Sequence, residues 1–266
     1  MLDRVADHRM TASEKAQLGR DGFVLREAVF DAQECAAIAA ECEALVTRLR
    51  AASRGKKHAL GSYMFEVERE AGTIIKWEPD APDVIQGVEP FGHIASTLNA
   101  WGLDPRFVDP AKAIVGADKL VLFTEKLNVK RAHDGGHIIL HQDFPYWEPT
   151  TPVAARIATA MLFIDDATRE NGCLEVAPGS HTSGKYPQRE ADAFGSLEMD
   201  PEAFDLSRLR PLEVKAGAVV LFGAFLVHRS LPNRSNVDRR ALLYSYQPAG
   251  YPHVREISPI KRPAEA

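Results

Sequence analysis

The chain has 266 residues, 45% hydrophobic and 26% charged, the make-up of an ordinary globular protein with enough apolar mass for a sizeable core. Thirty-two basic against thirty-seven acidic residues leave a net charge of −5, which excludes the broad basic footprint of a protein held on nucleic acid. Three cysteines are too few for a disulfide scaffold, no apolar run is long enough to span a bilayer, and Met1-Leu2-Asp3-Arg4 lacks a signal peptide's apolar stretch, so a cytoplasmic protein is expected.

Thr11 and Glu14 have the spacing of a capping box ahead of a short helix. Gly22–Arg26 reads as a short strand. Asp31 and Glu34 cap a long helix whose apolar stripe runs through Cys35, Ile38, Cys42, Leu45, Leu49 and Ala52. Both cysteines lie on that stripe and read as buried structural thiols. Arg54-Gly-Lys-Lys-His58 reads as a solvated basic loop. Residues 59–110 are mixed, with Pro79, Pro82 and Pro90 marking loops and a short helix over His93–Trp101.

The second half changes character. Strands are predicted at Lys119–Phe123, His137–His141, Ile157–Ile164, Cys173–Ala177, Ala218–Phe222 and Leu242–Gln247, separated by Gly135-Gly136, Pro145, Asn171-Gly172, Pro178-Gly179, Gly217 and Pro232-Asn233. That pattern predicts a jelly roll. The expected architecture is mainly β and a single domain over 1–266, with an N-terminal helical cover to about 110 and a β core from about 115 to 250.

His141-Gln142-Asp143 directly follows an apolar strand. On a continuing strand, positions 141 and 143 share one face and present an imidazole beside a carboxylate. Alone, H-x-D fits an oriented or solvated histidine equally well. His228 ends the apolar run Gly217–Val227, where a backbone-bonded histidine is the plain alternative. Together the three residues have the composition of the two-histidine, one-carboxylate facial triad of non-haem Fe(II) oxygenases. Arg239 is a planar, two-pronged cation suited to gripping a dicarboxylate, and Ser230 shares a face with His228.

Other groups read as bystanders. His133, His137 and His141 would form a zinc-binding face on a helix, but Gly135-Gly136 and Ile138-Ile139-Leu140 oppose a helix there. Asp165-Asp166 reads as a turn former rather than a general acid and base, and Lys130 and Arg131 as a solvated loop rather than contacts for an anionic substrate group. His181 stays outside the metal set. Phe144, Tyr146 and Trp147, next to the carboxylate, fit core packing and the walls of a substrate pocket equally well.

The stretch Asp166-Ala-Thr-Arg-Glu-Asn-Gly-Cys-Leu-Glu-Val-Ala-Pro-Gly-Ser-His-Thr-Ser-Gly184, with His141-Gln142-Asp143 before it and His228 to Arg239 after it, resembles the phytanoyl-CoA dioxygenase family. The strong match covers about residues 120–248. The resemblance implies a double-stranded β-helix (a cupin-like jelly roll), Fe(II) on His141, Asp143 and His228, and 2-oxoglutarate as cosubstrate. It places Arg239 and Ser230 on the distal carboxylate of 2-oxoglutarate, and Lys126 and Met161 along the cosubstrate. Family members often carry Trp where this chain has Met161.

The implied reaction couples oxidative decarboxylation of 2-oxoglutarate, giving succinate and CO2, to O2-dependent hydroxylation of an unactivated C–H bond. The retained carboxylate of Asp143 favours hydroxylation over halogenation, since related halogenases replace it by a small residue. The substrate is expected to be a small molecule: an acyl-CoA, an amino acid or a natural-product intermediate. The lack of a strong basic patch mildly disfavours the acyl-CoA. Two other readings are a non-catalytic jelly-roll binding module with a vestigial metal site, and a cupin-type metal dioxygenase without 2-oxoglutarate.

Overall fold

Both capping boxes form. In the computed structural model, which describes residues 7–53, 55–60, 62–68, 72–190 and 197–257, Thr11 Oγ1 accepts from the Glu14 N–H at 3.2 Å and the Glu14 carboxylate accepts from the Thr11 N–H at 2.8 Å. They start helix α1 (Ala12–Asp21), which ends at Gly22 in the left-handed region. Strand β1 (Phe23–Arg26) follows. Asp31 and Glu34 make the same reciprocal pair at the start of α2 (Ala32–Ala52). Its stripe of Cys35, Ile38, Cys42, Leu45 and Leu49 is buried, thiols included.

The helical cover expected to about residue 110 is interrupted. Residues 58–89 instead form four strands, β2 (His58–Leu60), β3 (Tyr63–Glu68), β4 (Thr73–Trp77) and β5 (Ile85–Glu89). Polar residues at alternate positions, such as Lys76 between Ile75 and Trp77, break up the apolar runs by which a strand is recognised. Nor is the preceding basic loop simply solvated: Lys57 sits 3.8 Å over the Trp77 ring and His58 opens β2, while Arg54 lies outside the described residues. The predicted short helix is α3 (Ser96–Trp101). An unpredicted α4 (Pro105–Val115) follows, started by Asp104, whose carboxylate accepts from the Arg106 N–H, with Pro105 in the first turn.

The remaining elements are β6 (Leu120–Lys130), β7 (Ile138–His141), the one-turn α5 (Phe144–Trp147), β8 (Ala158–Phe163), β9 (Leu174–Val176), β10 (Gln188–Glu190), β11 (Leu197–Met199), β12 (Arg210–Leu212), β13 (Val219–Gly223), β14 (His228–Ser230), β15 (Arg239–Pro248) and α6 (Val254–Ile257). Among the described residues a nine-stranded sheet runs β1-β13-β8-β15-β6-β5-β4-β3-β2, and a four-stranded sheet runs β12-β9-β14-β7. Strands β10 and β11 pair separately. The architecture is the expected mainly β jelly roll.

Period-two alternation decides what each face of the large sheet does. Val219 and Leu221 of β13, Leu162 of β8, and Leu242 and Tyr244 of β15 pack with Ile38 and Leu45 of α2 and Phe107 of α4. Val220 and Phe222, Met161 and Phe163, and Ala241 point the other way and pack with Leu174 and Val176 of the small sheet. Both faces are therefore buried. The polar residues that alternate with the helix-facing set, Lys76, Glu89, Lys126 and Arg239, are directed between the two sheets, where the cavity described next lies.

Candidate active site

His228 on β14 pairs in register with His141 at the end of β7, and their ring centroids are 4.1 Å apart. The strand does not continue to Asp143 as alternation alone predicts. The backbone turns helical there (φ −72°, ψ −29°) as Asp143 opens α5, with Pro145 in its first turn. The turn still brings the carboxylate back to the imidazole, with Asp143 Oδ1 3.7 Å from His141 Nε2. One potential ligand atom from each of His141, Asp143 and His228 lies within 4.8 Å of the others, the one such cluster of three among the described residues.

Local hydrogen bonds set the imidazoles for ligation. His141 Nδ1 lies 2.8 Å from the Ile139 carbonyl and His228 Nδ1 2.9 Å from the Leu226 carbonyl. A carbonyl can only accept, so each Nδ1 carries the proton and each Nε2 lone pair is left for a cation. Burial, then the neighbouring His228, holds the His141 imidazole well below its usual pKa and so neutral. Burial raises Asp143, while His228 and Lys126 pull it back. Two imidazoles and a carboxylate suit a divalent transition metal.

Gln142, between the two ligands, points the opposite way and is fully buried. Its amide donates to the carbonyls of Gly184 (2.8 Å) and Phe225 (2.7 Å) and accepts from the Tyr186 N–H (2.8 Å). This pins the turn that re-aims Asp143. Its middle position in H-Q-D was the only signal in the sequence.

Arg239 starts β15 and is 1% exposed. Its Nη2 donates to the Gly172 carbonyl, but Nε and Nη1 are buried without a partner, as is the Ser230 hydroxyl. Among the described residues no carboxylate lies in ion-pair range of the guanidinium, and burial pulls its pKa down to about 10 against a weaker upward pull from Cys173 and Asp165. Such an arrangement is costly unless an anion completes it. The Asn171-Gly172 turn supplies the anchoring carbonyl: Asn171 Oδ1 accepts from the Thr168 N–H and its Nδ2 donates to the Asp166 carbonyl, both at 2.8 Å. Gly172 has φ +75°, and a Cβ there would meet the Leu231 oxygen at 2.2 Å.

A cavity of about 320 Å³ connects these groups. Its walls include His141, Asp143, His228, Ser230 and Arg239, with Lys126, Met161, Tyr146 and Trp147. Lys126 pairs with Glu89 at 3.0 Å, and Thr124 donates to the other Glu89 oxygen at 2.8 Å. Phe144 does not line the cavity; as the first residue of α5 it turns away and stacks on Phe225 (centroids 4.4 Å apart). Lys76, Tyr63 and Glu89 line the cavity and were missed. The available signal was a lysine flanked by Ile75 and Trp77.

Lys130 and Arg131 do not form a solvated loop. Lys130 ends β6 buried, donating to the carbonyls of Gly136 and Leu231. Arg131 bridges Glu43 (2.7 Å) and Asp238 (2.6 Å). Asp165 pairs with Arg240 and Asp166 with Lys215, both at 2.7 Å, which makes them structural. His133 is in the left-handed region, bonded to Asn236, on a non-helical segment. His181 packs against Gly22.

The family model for phytanoyl-CoA dioxygenase matches residues 18–241. Phytanoyl-CoA dioxygenase 1 of Oryza sativa subsp. japonica is 37% identical over 111 residues, 41% of this chain and 38% of that protein. L-proline trans-4-hydroxylase of Streptomyces griseoviridis is 29% identical over 197 residues, 67% of this chain and 72% of that protein. The match thus spans about two fifths of the first of these relatives and nearly three quarters of the second. The crystal structure of EctD from S. alaskensis with 2-oxoglutarate and 5-hydroxyectoine superposes with a TM-score of 0.69 at 22% identity, covering 93% of this chain and 79% of that one. At that identity the likeness shows the shared fold.

Proposed function

The chain belongs to the phytanoyl-CoA dioxygenase family, and on that premise we propose that it is an Fe(II)- and 2-oxoglutarate-dependent dioxygenase hydroxylating an unactivated C–H bond of a small organic substrate. The observation that carries this reading is the buried guanidinium of Arg239, with two unpartnered donors, on the same cavity as His141, Asp143 and His228. A metal enzyme that does not use a dicarboxylate has no need of that cation, which disfavours the cupin-type alternative. A vestigial binding module would have no reason to keep all four groups.

His141, Asp143 and His228 would hold Fe(II), their Nδ1 bonds fixing both rings. Arg239 and Ser230 would take the distal carboxylate of 2-oxoglutarate, filling the donors now left unmade. Lys126 and Met161 flank the cosubstrate, with Tyr146 and Trp147 on the substrate side. Iron with its cosubstrate supplies the oxidising power, consuming 2-oxoglutarate and O2 and releasing succinate and CO2. The protein would bind and orient both molecules and keep water out, and Asp143 would hold the metal with a carboxylate that leaves no place for a halide.

The test is anaerobic reconstitution with Fe(II) and 2-oxoglutarate, admission of O2, and measurement of succinate. Slow, uncoupled succinate formation is expected even without substrate. Iron binding without 2-oxoglutarate binding or succinate would sink the proposal.

A further inference from the structure

Among the cations lining the cavity, Lys76 and Arg239 are left without an ion-pair partner among the described residues. Lys126 is matched by Glu89 at 3.0 Å and Arg229 by Glu175 at 2.6 Å. On the reading above, a divalent iron, a dianionic cosubstrate, Asp143 and Arg239 sum to zero. Lys76 has no carboxylate in ion-pair range and no hydrogen-bond acceptor among the described residues; its Nζ lies 3.4 Å from the Tyr63 ring centroid and 5.7 Å from that of Phe65. The rings hold an ammonium by cation–π attraction but leave its donors unused. Glu78, further along the chain, accepts from the Gly136 N–H and Gln86. Burial has already pulled Lys76 down to about 7.

We propose that the substrate is a small monoanion with an apolar body, its acid group held by Lys76. Tyr63 reinforces the site: its hydroxyl accepts the Ile139 N–H at 3.0 Å, which leaves its own proton to donate to an acid oxygen. Phe65, Ile74, Ile138 and Val254 line the same cavity and receive the body. At about 320 Å³, shared with a dicarboxylate, the space suits a small acid rather than a whole coenzyme A thioester. The inference rests on the Fe(II)/2-oxoglutarate reading for its charge count, while the contact with Lys76 does not require the metal.

The test is anaerobic titration calorimetry of hexanoate, butylphosphonate and neutral hexanamide into protein loaded with Fe(II) and 2-oxoglutarate, and into metal-free protein. A separate titration of 2-oxoglutarate checks the underlying reading, so the two fail separately. The carboxylate or the phosphonate is expected to bind at least about tenfold more tightly than the amide, the worth of one charge-assisted hydrogen bond. Lys76→Gln should abolish that preference while still binding 2-oxoglutarate, and Lys76→Arg should keep it. Failure of both acids to bind, equal affinity for acid and amide, or a preference that survives Lys76→Gln would overturn the proposal.

Discussion

Replacing Arg239 by methionine should make the ligand-free protein more stable and blind to 2-oxoglutarate. The guanidinium is 1% exposed and leaves Nε and Nη1 without partners. An unmade hydrogen bond at a buried polar group costs about 1–3 kcal/mol, so these two donors carry a burden of about 2–6 kcal/mol. Methionine of similar reach removes them but orphans the Gly172 carbonyl, returning about 1–3 kcal/mol. The balance is a gain of about 1–3 kcal/mol, read as a Tm rise of several degrees, at about 2–4 °C per kcal/mol for a chain near this size. Wild-type protein at 100 times the Kd for 2-oxoglutarate gains about 2.7 kcal/mol from binding. The variant should lose that response, because two charge-assisted bonds of about 1.5–3 kcal/mol each are absent. Differential scanning fluorimetry with and without 2-oxoglutarate reads both effects. A lower ligand-free Tm, or an unchanged 2-oxoglutarate shift, would refute the reasoning.

Asp143→Ala should weaken Fe(II) binding beyond the roughly 100-fold that loss of a supporting outer hydrogen bond costs, because a ligand itself is removed; metal analysis after dialysis measures it, and retained iron would take Asp143 out of the ligand set. Gly172→Ala meets both a positive φ and the Leu231 oxygen, so a loss of about 2–4 kcal/mol is expected from strain and overpacking, with a weaker hold on 2-oxoglutarate as Arg239 loses its anchor; denaturant melts and 2-oxoglutarate titration test the two parts. Acid binding through Lys76 should weaken as pH rises through about 7, because the free ammonium deprotonates there, with log Ka falling by up to one per pH unit until the pKa of the complex is passed. The surrounding groups are Lys126, Glu89 and Glu78, with Tyr63 kept neutral by burial, and a flat calorimetric pH profile would contradict the assignment. Burial raises all three thiols, to about 12 at Cys42 and about 11 at Cys173, so a thiol reagent should label none in the native protein and all three in denaturant.

What was legible in the sequence was local. Capping boxes are decided within four residues, and Thr11–Glu14 and Asp31–Glu34 form as their spacing requires. The stripe of α2 and the strands around residues 158 and 219 follow from periodicity in unbroken apolar runs. Asp143 shows where local rules stop. Strand alternation placed it beside His141, yet the proximity comes from a helical turn pinned by Gln142 to residues 42 and 83 positions away. Arg131 failed for the same reason: its partners, Glu43 and Asp238, are 88 and 107 positions off.

Lys76 was hidden by its place in a strand between apolar neighbours. A strand buried on both faces should read as continuous apolar residues, and a lysine inside Ile74-Ile75-Lys76-Trp77 lowers the strand score of β4 instead of raising the score of a site. Once β4 is set beside β5 and β6, the anomaly has a pattern: Lys76, Glu89 and Lys126 all alternate with helix-facing apolar residues and line one cavity. Burying a charge between two sheets is expensive unless something answers it. Glu89 answers Lys126 within the protein; Arg239 and Lys76 line the same cavity without an ion-pair partner among the described residues. On the proposed reading, Arg239 would answer the dicarboxylate and Lys76 the acid of the substrate, in the one cavity that His141, Asp143 and His228 also line.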